Sequence, residues 1–199
     1  MKNILILCLA LLATQAHATI VKADFTATAD APSVPGYAGA RVAQSLNQAV
    51  GAGLELGADA TVSNPSEFRG GDVFFDLDPA TNTVTLLSLS DYDFDSFTAL
   101  ISNIRFSPGE RIVGLTLLSN NLAEASDSPD VIAPSFSFSD DSIEIRYAPA
   151  DFFYFVEGGS AVFQIVTEVT GTQVPEPASL ALLGLGLAGC MAVRRRGRR

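Results

Sequence analysis

Apolar and polar residues alternate at period two through most of the chain between residues 19 and 170. Residues 72–78 (DVFFDLD) and 83–90 (TVTLLSLS) are two such runs, joined by the turn-forming Pro79-Ala-Thr-Asn82. Residues 97–106 make another run, and Ser107-Pro108-Gly109-Glu110 turns into residues 111–119. Residues 135–138 lead through Ser139-Asp-Asp-Ser142 into 143–147, where Ile143, Ile145 and Tyr147 alternate with Glu144 and Arg146. Residues 151–156, the turn 157–160 and residues 161–169 read as a last hairpin, and residues 20–28 as the first strand. Successive strand side chains point to opposite faces, so this period predicts strands with one buried face. Short strands at regular spacing, with Pro, Gly, Asn and Asp between them, predict an all-β body: an antiparallel, jelly-roll-like β-sandwich.

One segment is ambiguous. In residues 38–50, Val42, Leu46, Ala49 and Val50 sit near helical spacing, and Gly51 follows. Its Ala and Gly content leaves helix and strand both open.

The two ends depart from the alternating pattern. Lys2 precedes an apolar run from Ile4 to Ala13, and Ala16-His17-Ala18 puts small residues where a signal peptidase reads them. Residues 1–18 are therefore expected to be a signal peptide cleaved after Ala18. At the other end, Val174-Pro175-Glu176-Pro177 precedes sixteen uncharged, mostly apolar residues, Ala178 to Val193, and then Arg194, Arg195, Arg196, Arg198 and Arg199. Sixteen helical residues span about 24 Å, less than the roughly 30 Å of hydrocarbon in a bilayer. Gly184, Gly186 and Gly189 weaken that helix by about 1 kcal/mol each relative to Ala. The arginines can snorkel to lengthen it, and they favour the cytoplasmic side. The expectation is one short C-terminal transmembrane helix that holds the exported body temporarily. Pro175 and Pro177 keep the preceding residues extended, so the motif lies outside the helix.

The order of Pro175-Glu176-Pro177, short apolar helix and arginine-rich end, behind an N-terminal signal, resembles the PEP-CTERM sorting signal of Gram-negative bacteria. The resemblance covers about 26 residues. It implies an exosortase, an integral membrane enzyme, as the partner that processes the tail near Pro175-Glu176-Pro177. It also implies transient anchoring in the inner membrane, followed by delivery to the cell surface or the extracellular polysaccharide matrix. The resulting division is a signal peptide at 1–18, an extracellular β-sandwich at 19–173 and a sorting tail at 174–199.

Composition narrows what the body can do. Residues 19–173 contain no His, Cys or Trp. Histidine and thiol catalysis, disulfides and His/Cys zinc sites are excluded there. No glycine-rich phosphate loop is present. The body has six cationic side chains (Lys22, Arg41, Arg69, Arg105, Arg111 and Arg146) against twenty-one carboxylates, a net charge of −15. Nucleic acid, which needs a basic footprint, is not expected as a partner. A carboxylate pair of the glycoside-hydrolase kind is the remaining catalytic route, and nothing in the pattern singles one out.

Asp91-Tyr-Asp-Phe-Asp95 is the one local constellation. In a strand, Asp91, Asp93 and Asp95 share a face, with Tyr92 and Phe94 on the other. Such a row could take calcium or could be a solvated acidic edge that discourages aggregation. It is not an EF-hand loop, because Ser96 and Ser102 stand where Gly and Glu belong. No resident cofactor is expected, apart from this possible calcium. The function expected from these features is a non-enzymatic surface or matrix protein, structural or adhesive in a biofilm. The alternatives are a carbohydrate- or calcium-dependent binding module and, behind it, a carboxylate-based hydrolase.

Overall fold

The computed structural model describes residues 19–33, 39–64, 73–107 and 109–169. The segment expected to be a signal peptide (1–18) and the tail (174–199) lie outside these residues, as does Arg69. The described residues form strands, turns and bends without helix, and the strands pair antiparallel throughout.

The larger sheet has the order β10-β11-β7-β1-β2-β3. Its centre is β1 (Thr19–Asp30) against β7 (Ser96–Ser107). Both alternate as the sequence predicts. β1 buries Ala23, Phe25, Ala27 and Ala29; β7 buries Phe97, Ala99 and Ile101. The register sets these residues in rows. Ile143, Ile101 and Phe25 make one row of bulky side chains, and Ala99, Ala27 and Ala43 make the next row of small ones. β2 (Arg41–Ala49) and β3 (Thr61–Ser63) continue the sheet on one side, β11 (Ile143–Tyr147) and β10 (Ser135–Phe138) on the other.

The second sheet has the order β4-β5-β13-β8: Val73–Asp78, Thr83–Ser88, Ser160–Val169 and Glu110–Asn120. It lays Phe75, Leu77, Val84, Leu86, Phe163 and Ile165 onto the first sheet. Phe25 meets Phe75 edge-on across the sandwich at 6.4 Å between centroids. Each such buried side chain contributes about 1.5–3 kcal/mol of transfer free energy. A third sheet of three short strands, β6 (Tyr92–Phe94), β12 (Phe153–Phe155) and β9 (Ala123–Ala125), closes one end. Phe94, Phe97, Tyr147 and Phe153 gather around Phe155 there, the nearest ring centroid at 4.7 Å.

One open question closes and one sequence expectation changes. Residues 41–49, which the sequence leaves open between helix and strand, are strand: Ala43 and Ser45 alternate inward, and Leu46 is left exposed. The apparent helical spacing arises because Asn47, at φ 65°, inserts a bulge that breaks the period of two. Residues 151–156 and 161–169 do not form a hairpin. β12 pairs with β6 and β9, while β13 pairs with β5 and β8. The turn between them is held from outside: Gly158 N–H donates to the Ser88 carbonyl at 2.9 Å, and Ser160 N–H to the Asn121 side chain at 2.9 Å. Those anchors direct the chain from one sheet into another.

The β7–β8 turn also crosses between sheets. Thr19 pairs with Ser107 just before it, and Val169 pairs with Glu110 just after it. The first and last residues of the sandwich therefore lie at the same end. The β6-β12-β9 sheet lies at the opposite end, where β1 finishes beside Ser96.

Candidate functional site

The residues that carry the sorting reading, Ala16 and Ala18, Pro175, Glu176 and Pro177, and Arg194, Arg195, Arg196, Arg198 and Arg199, lie outside the described residues. The sandwich does fix where they attach. Chain leading from Ala18 joins β1 at Thr19, chain leading to Pro175 leaves β13 at Val169, and both strand ends flank the β7–β8 turn. Thr19 is already paired and Ile20 is fully buried, so the sheet begins directly after Ala18, where the sequence leads one to expect cleavage. Among the described residues no helix is long and apolar enough to cross a membrane.

The aspartate row is split up. β6 covers only Tyr92–Phe94; Phe94 faces the core, and Asp93 is exposed beside Tyr154 of β12. Asp91 accepts the Glu157 N–H at 2.6 Å and so holds the β12–β13 turn. Asp95 accepts both the N–H and the hydroxyl of Ser33 at 2.6 Å and so holds the chain leaving β1. The flanking carboxylates serve two different loops. Among the described residues no group of three or more His, Cys, Asp or Glu side chains is arranged to hold a metal ion.

Two carboxylates not singled out from sequence have defined tasks. Glu55 is buried beside the outer edge of β4. Its oxygens accept the Leu77 N–H at 2.7 Å and the Gly51 N–H at 3.2 Å. Leu56 and Phe75 exchange backbone hydrogen bonds alongside, so residues 55–56 close an edge that would otherwise be open. Burial pushes the Glu55 carboxyl up from its ordinary value, against the lowering effect of the two N–H donors. Asp24, in the central strand, accepts the Asn47 N–H and the Asn103 side-chain N–H, each at 2.6 Å. Asn47 and Asn103 both have left-handed backbones, one on each neighbouring strand, where the register shifts. Asp24 thus pins two bulges at once, and the Asn103 and Asn47 hydrogen bonds hold its carboxyl below the ordinary range. A Gly or Asn at a break in period beside an Asp on the polar face is the only sequence signal for such a pin.

Two surface features remain. The outer face of the large sheet is mainly polar, interrupted by Leu100 on β7 and Val42 on β2. One row runs Ser137, Glu144, Leu100, Thr26, Gln44, Thr61, with Gln44 donating to the Thr26 hydroxyl at 3.3 Å. The neighbouring row includes Thr98 and Thr28. Between the β3 and β4 edges a cleft of about 170 Å³ is lined by Arg41, Ala43, Leu56, Val62 and Phe74.

Residues 173–196 match the PEP-CTERM protein-sorting motif. The matched stretch takes in Pro175-Glu176-Pro177, the whole apolar run and the first three arginines of the end. No curated protein and no solved structure matches the chain.

Proposed function

We propose that this chain, which carries a PEP-CTERM protein-sorting motif, is delivered by an exosortase to the cell surface or the extracellular polysaccharide matrix, where its sandwich acts as a structural or adhesive, non-catalytic unit. The motif itself indicates an exported protein that passes through the membrane transiently as an exosortase substrate. The observation that carries the reading is the tail: Pro175-Glu176-Pro177 stands next to an apolar run too short for a lasting span, and arginines mark its inner side. Signal peptidase and exosortase are the two processing partners. The body supports the non-catalytic part of the proposal. It has no histidine or cysteine, and Asp24, Glu55, Asp91 and Asp95 are engaged in holding backbone N–H groups.

The test is the destination of the protein when Pro175, Glu176 and Pro177 are all replaced by alanine. The unprocessed chain is expected to accumulate in the inner membrane. Normal processing and an unchanged destination in that variant would remove the basis of the proposal.

A second reading, a polysaccharide-binding module, is favoured by the outer face of the large sheet. Hydroxyl and amide groups from Thr26, Thr28, Thr98 and Gln44 repeat there at the strand spacing of about 4.8 Å. Such an array suits an extended chain of sugar hydroxyls. Binding to a glycan array, with and without calcium, is expected to fall when Thr26, Thr28 and Thr98 become valine, a near-isosteric change. Equal binding by that variant would rule this face out.

A further inference from the structure

The body has two exposed phenylalanines among its described residues, and both are in β10. Phe136 is 40% and Phe138 44% exposed, while every other described phenylalanine is buried or half-buried. β10 is also an edge strand: its inner side pairs with β11, and among the described residues nothing pairs with its outer side.

The other edges are guarded. β3, β6 and β9 have three residues each. The β4 edge is closed by Glu55 and Leu56. β8 has two register shifts and carries the Arg111–Glu168 ion pair with β13. Short strands, covering segments, bulges and charges are the usual protections of a sheet edge. β10, at four residues, is also short, but among the described residues it has no covering segment, bulge or charge. Its Ser135-Phe136-Ser137-Phe138 contains no charge and no proline, and its pairing with β11 has no shift.

The direction of its free groups follows from the adjoining turn. Ser139 N–H donates to the Ser142 carbonyl at 2.9 Å. Hydrogen-bonded pairs alternate in an antiparallel ladder, so Ser137 bonds Glu144 and Ser135 bonds Arg146. The N–H and C=O groups of Phe136 and Phe138 therefore point outward, away from β11. Water can satisfy these exposed groups, and another extended strand can replace that water along the whole row at once.

We infer that the outer edge of β10 pairs antiparallel with β10 of a second copy, across a two-fold axis through Ser137. In that register Phe136 lies opposite Phe138 of the partner subunit, and Phe138 opposite Phe136 of the partner subunit. These are the residues whose backbone groups face out, so each pair exchanges both of its hydrogen bonds. The four phenyl rings fall on one face as two cross-strand aromatic pairs. The strand is complementary to itself because it is uncharged and alternates serine with phenylalanine. The pairing also covers Phe138 and the exposed part of Phe136, whose ring already meets Phe163 edge-on at 5.5 Å between centroids. An isologous contact of this kind closes, so assembly stops at a dimer in which two six-stranded sheets are continuous. Each body carries a net charge of −15, so the copies repel at long range and salt favours the dimer.

The inference stands independently of the sorting tail, and the test separates them. The full chain, with Cys8 and Cys190 replaced by alanine, is studied in mild detergent. Ser137→Cys places two thiols opposite each other on the axis and is expected to give a disulfide-linked dimer under mild oxidation. Ser135→Cys places the thiols roughly 13 Å apart along the strands and is expected to remain uncrosslinked. Phe138→Lys adds a like charge to each strand and is expected to weaken the dimer at least tenfold, with circular dichroism unchanged. A wild-type monomer, equal crosslinking at 135 and 137, or a dimer indifferent to Phe138→Lys would each overturn the inference. So would capture of a strand from another protein in place of the second copy.

Discussion

The Leu77 N–H of β4 donates to the carboxylate of Glu55 at 2.7 Å, so a side chain stands where the carbonyl of a neighbouring strand would be. The same carboxylate takes the Gly51 N–H at 3.2 Å and ties down the loop that supplies it. Burial raises its pKa above the ordinary 4.5. The folded state then favours the protonated form more than the unfolded chain does. The Glu55 contribution to stability is complete below the ordinary value and is lost as pH rises through the folded one. Glu55→Gln removes that dependence. Urea unfolding from pH 4 to pH 7 is expected to show wild type losing stability relative to Glu55→Gln as pH rises. A gap that stays constant would mean that the carboxyl is not shifted. Glu55→Ala leaves two N–H groups without their acceptor and is expected to cost about 1–3 kcal/mol.

Asp24 is predicted to act in the opposite direction. Hydrogen bonds from Asn103 and Asn47 hold its carboxyl below the ordinary 3.8. Its contribution is present above that value and is lost as pH falls through the folded one. Solvent screens this exposed pin, so Asp24→Ala is expected to cost only about 1 kcal/mol at pH 7. The difference should shrink as pH falls through the folded value, where the wild-type carboxyl also becomes protonated. A difference that persists unchanged into acid would show that the loss lies in packing at the two bulges.

For the aspartates around β6, the unequal work of the three side chains makes the prediction. Asp95→Ala releases both hydrogen bonds from Ser33 and is expected to lower the thermal midpoint by a few degrees, about 1 kcal/mol. Asp93→Ala should be neutral, because Asp93 is exposed on its strand. Millimolar calcium is expected to leave the melting curve of wild type where it is. A saturable rise in midpoint that disappears in Asp93→Asn would establish a calcium site that the separated carboxylates do not suggest.

These carboxylates also mark where sequence reading stops. Alternation located β1, β4, β5, β7, β11 and β13, because each buries residues at a spacing of two against one core; β8 and β10 were located by their apolar–polar sequence pattern and turn residues, although β10 buries none of its four residues and β8 departs from the period at its bulges. It could not locate β3, β6 or β9, since three residues are too few to show a period. β2 was obscured by the bulge at Asn47, whose cause, Asp24, is twenty-three residues away. The false hairpin at residues 151–169 had a genuine turn composition, but its direction is set by Ser88 and Asn121, which are distant in sequence. Asp91-Tyr-Asp-Phe-Asp95 displayed its spacing but not its partners, Glu157 and Ser33. The tail was legible because its signal is local: proline, charge and length of an apolar run act within 26 consecutive residues.

Adjacent glycines in the β12–β13 turn separate two kinds of constraint. A Cβ on Gly159 would stand 2.7 Å from the Asn121 carbonyl oxygen and 2.9 Å from that of Val156. Both are backbone atoms fixed by neighbouring strands, so neither can give way cheaply. Gly158 has open space around its Cα but a φ of +73°, which an L side chain adopts at a cost of about 1–2 kcal/mol. Gly159→Ala is therefore expected to destabilise by about 3 kcal/mol, near the upper end of overpacking costs, and Gly158→Ala by about 1 kcal/mol. Gly158→Asn should lie closer to wild type than Gly158→Ala, because asparagine tolerates the left-handed region. Equilibrium unfolding in urea ranks the three variants. If Gly159→Ala were the mildest, the turn would not be held against Asn121, and the anchor that sends the chain from β12 into β13 would have to lie elsewhere.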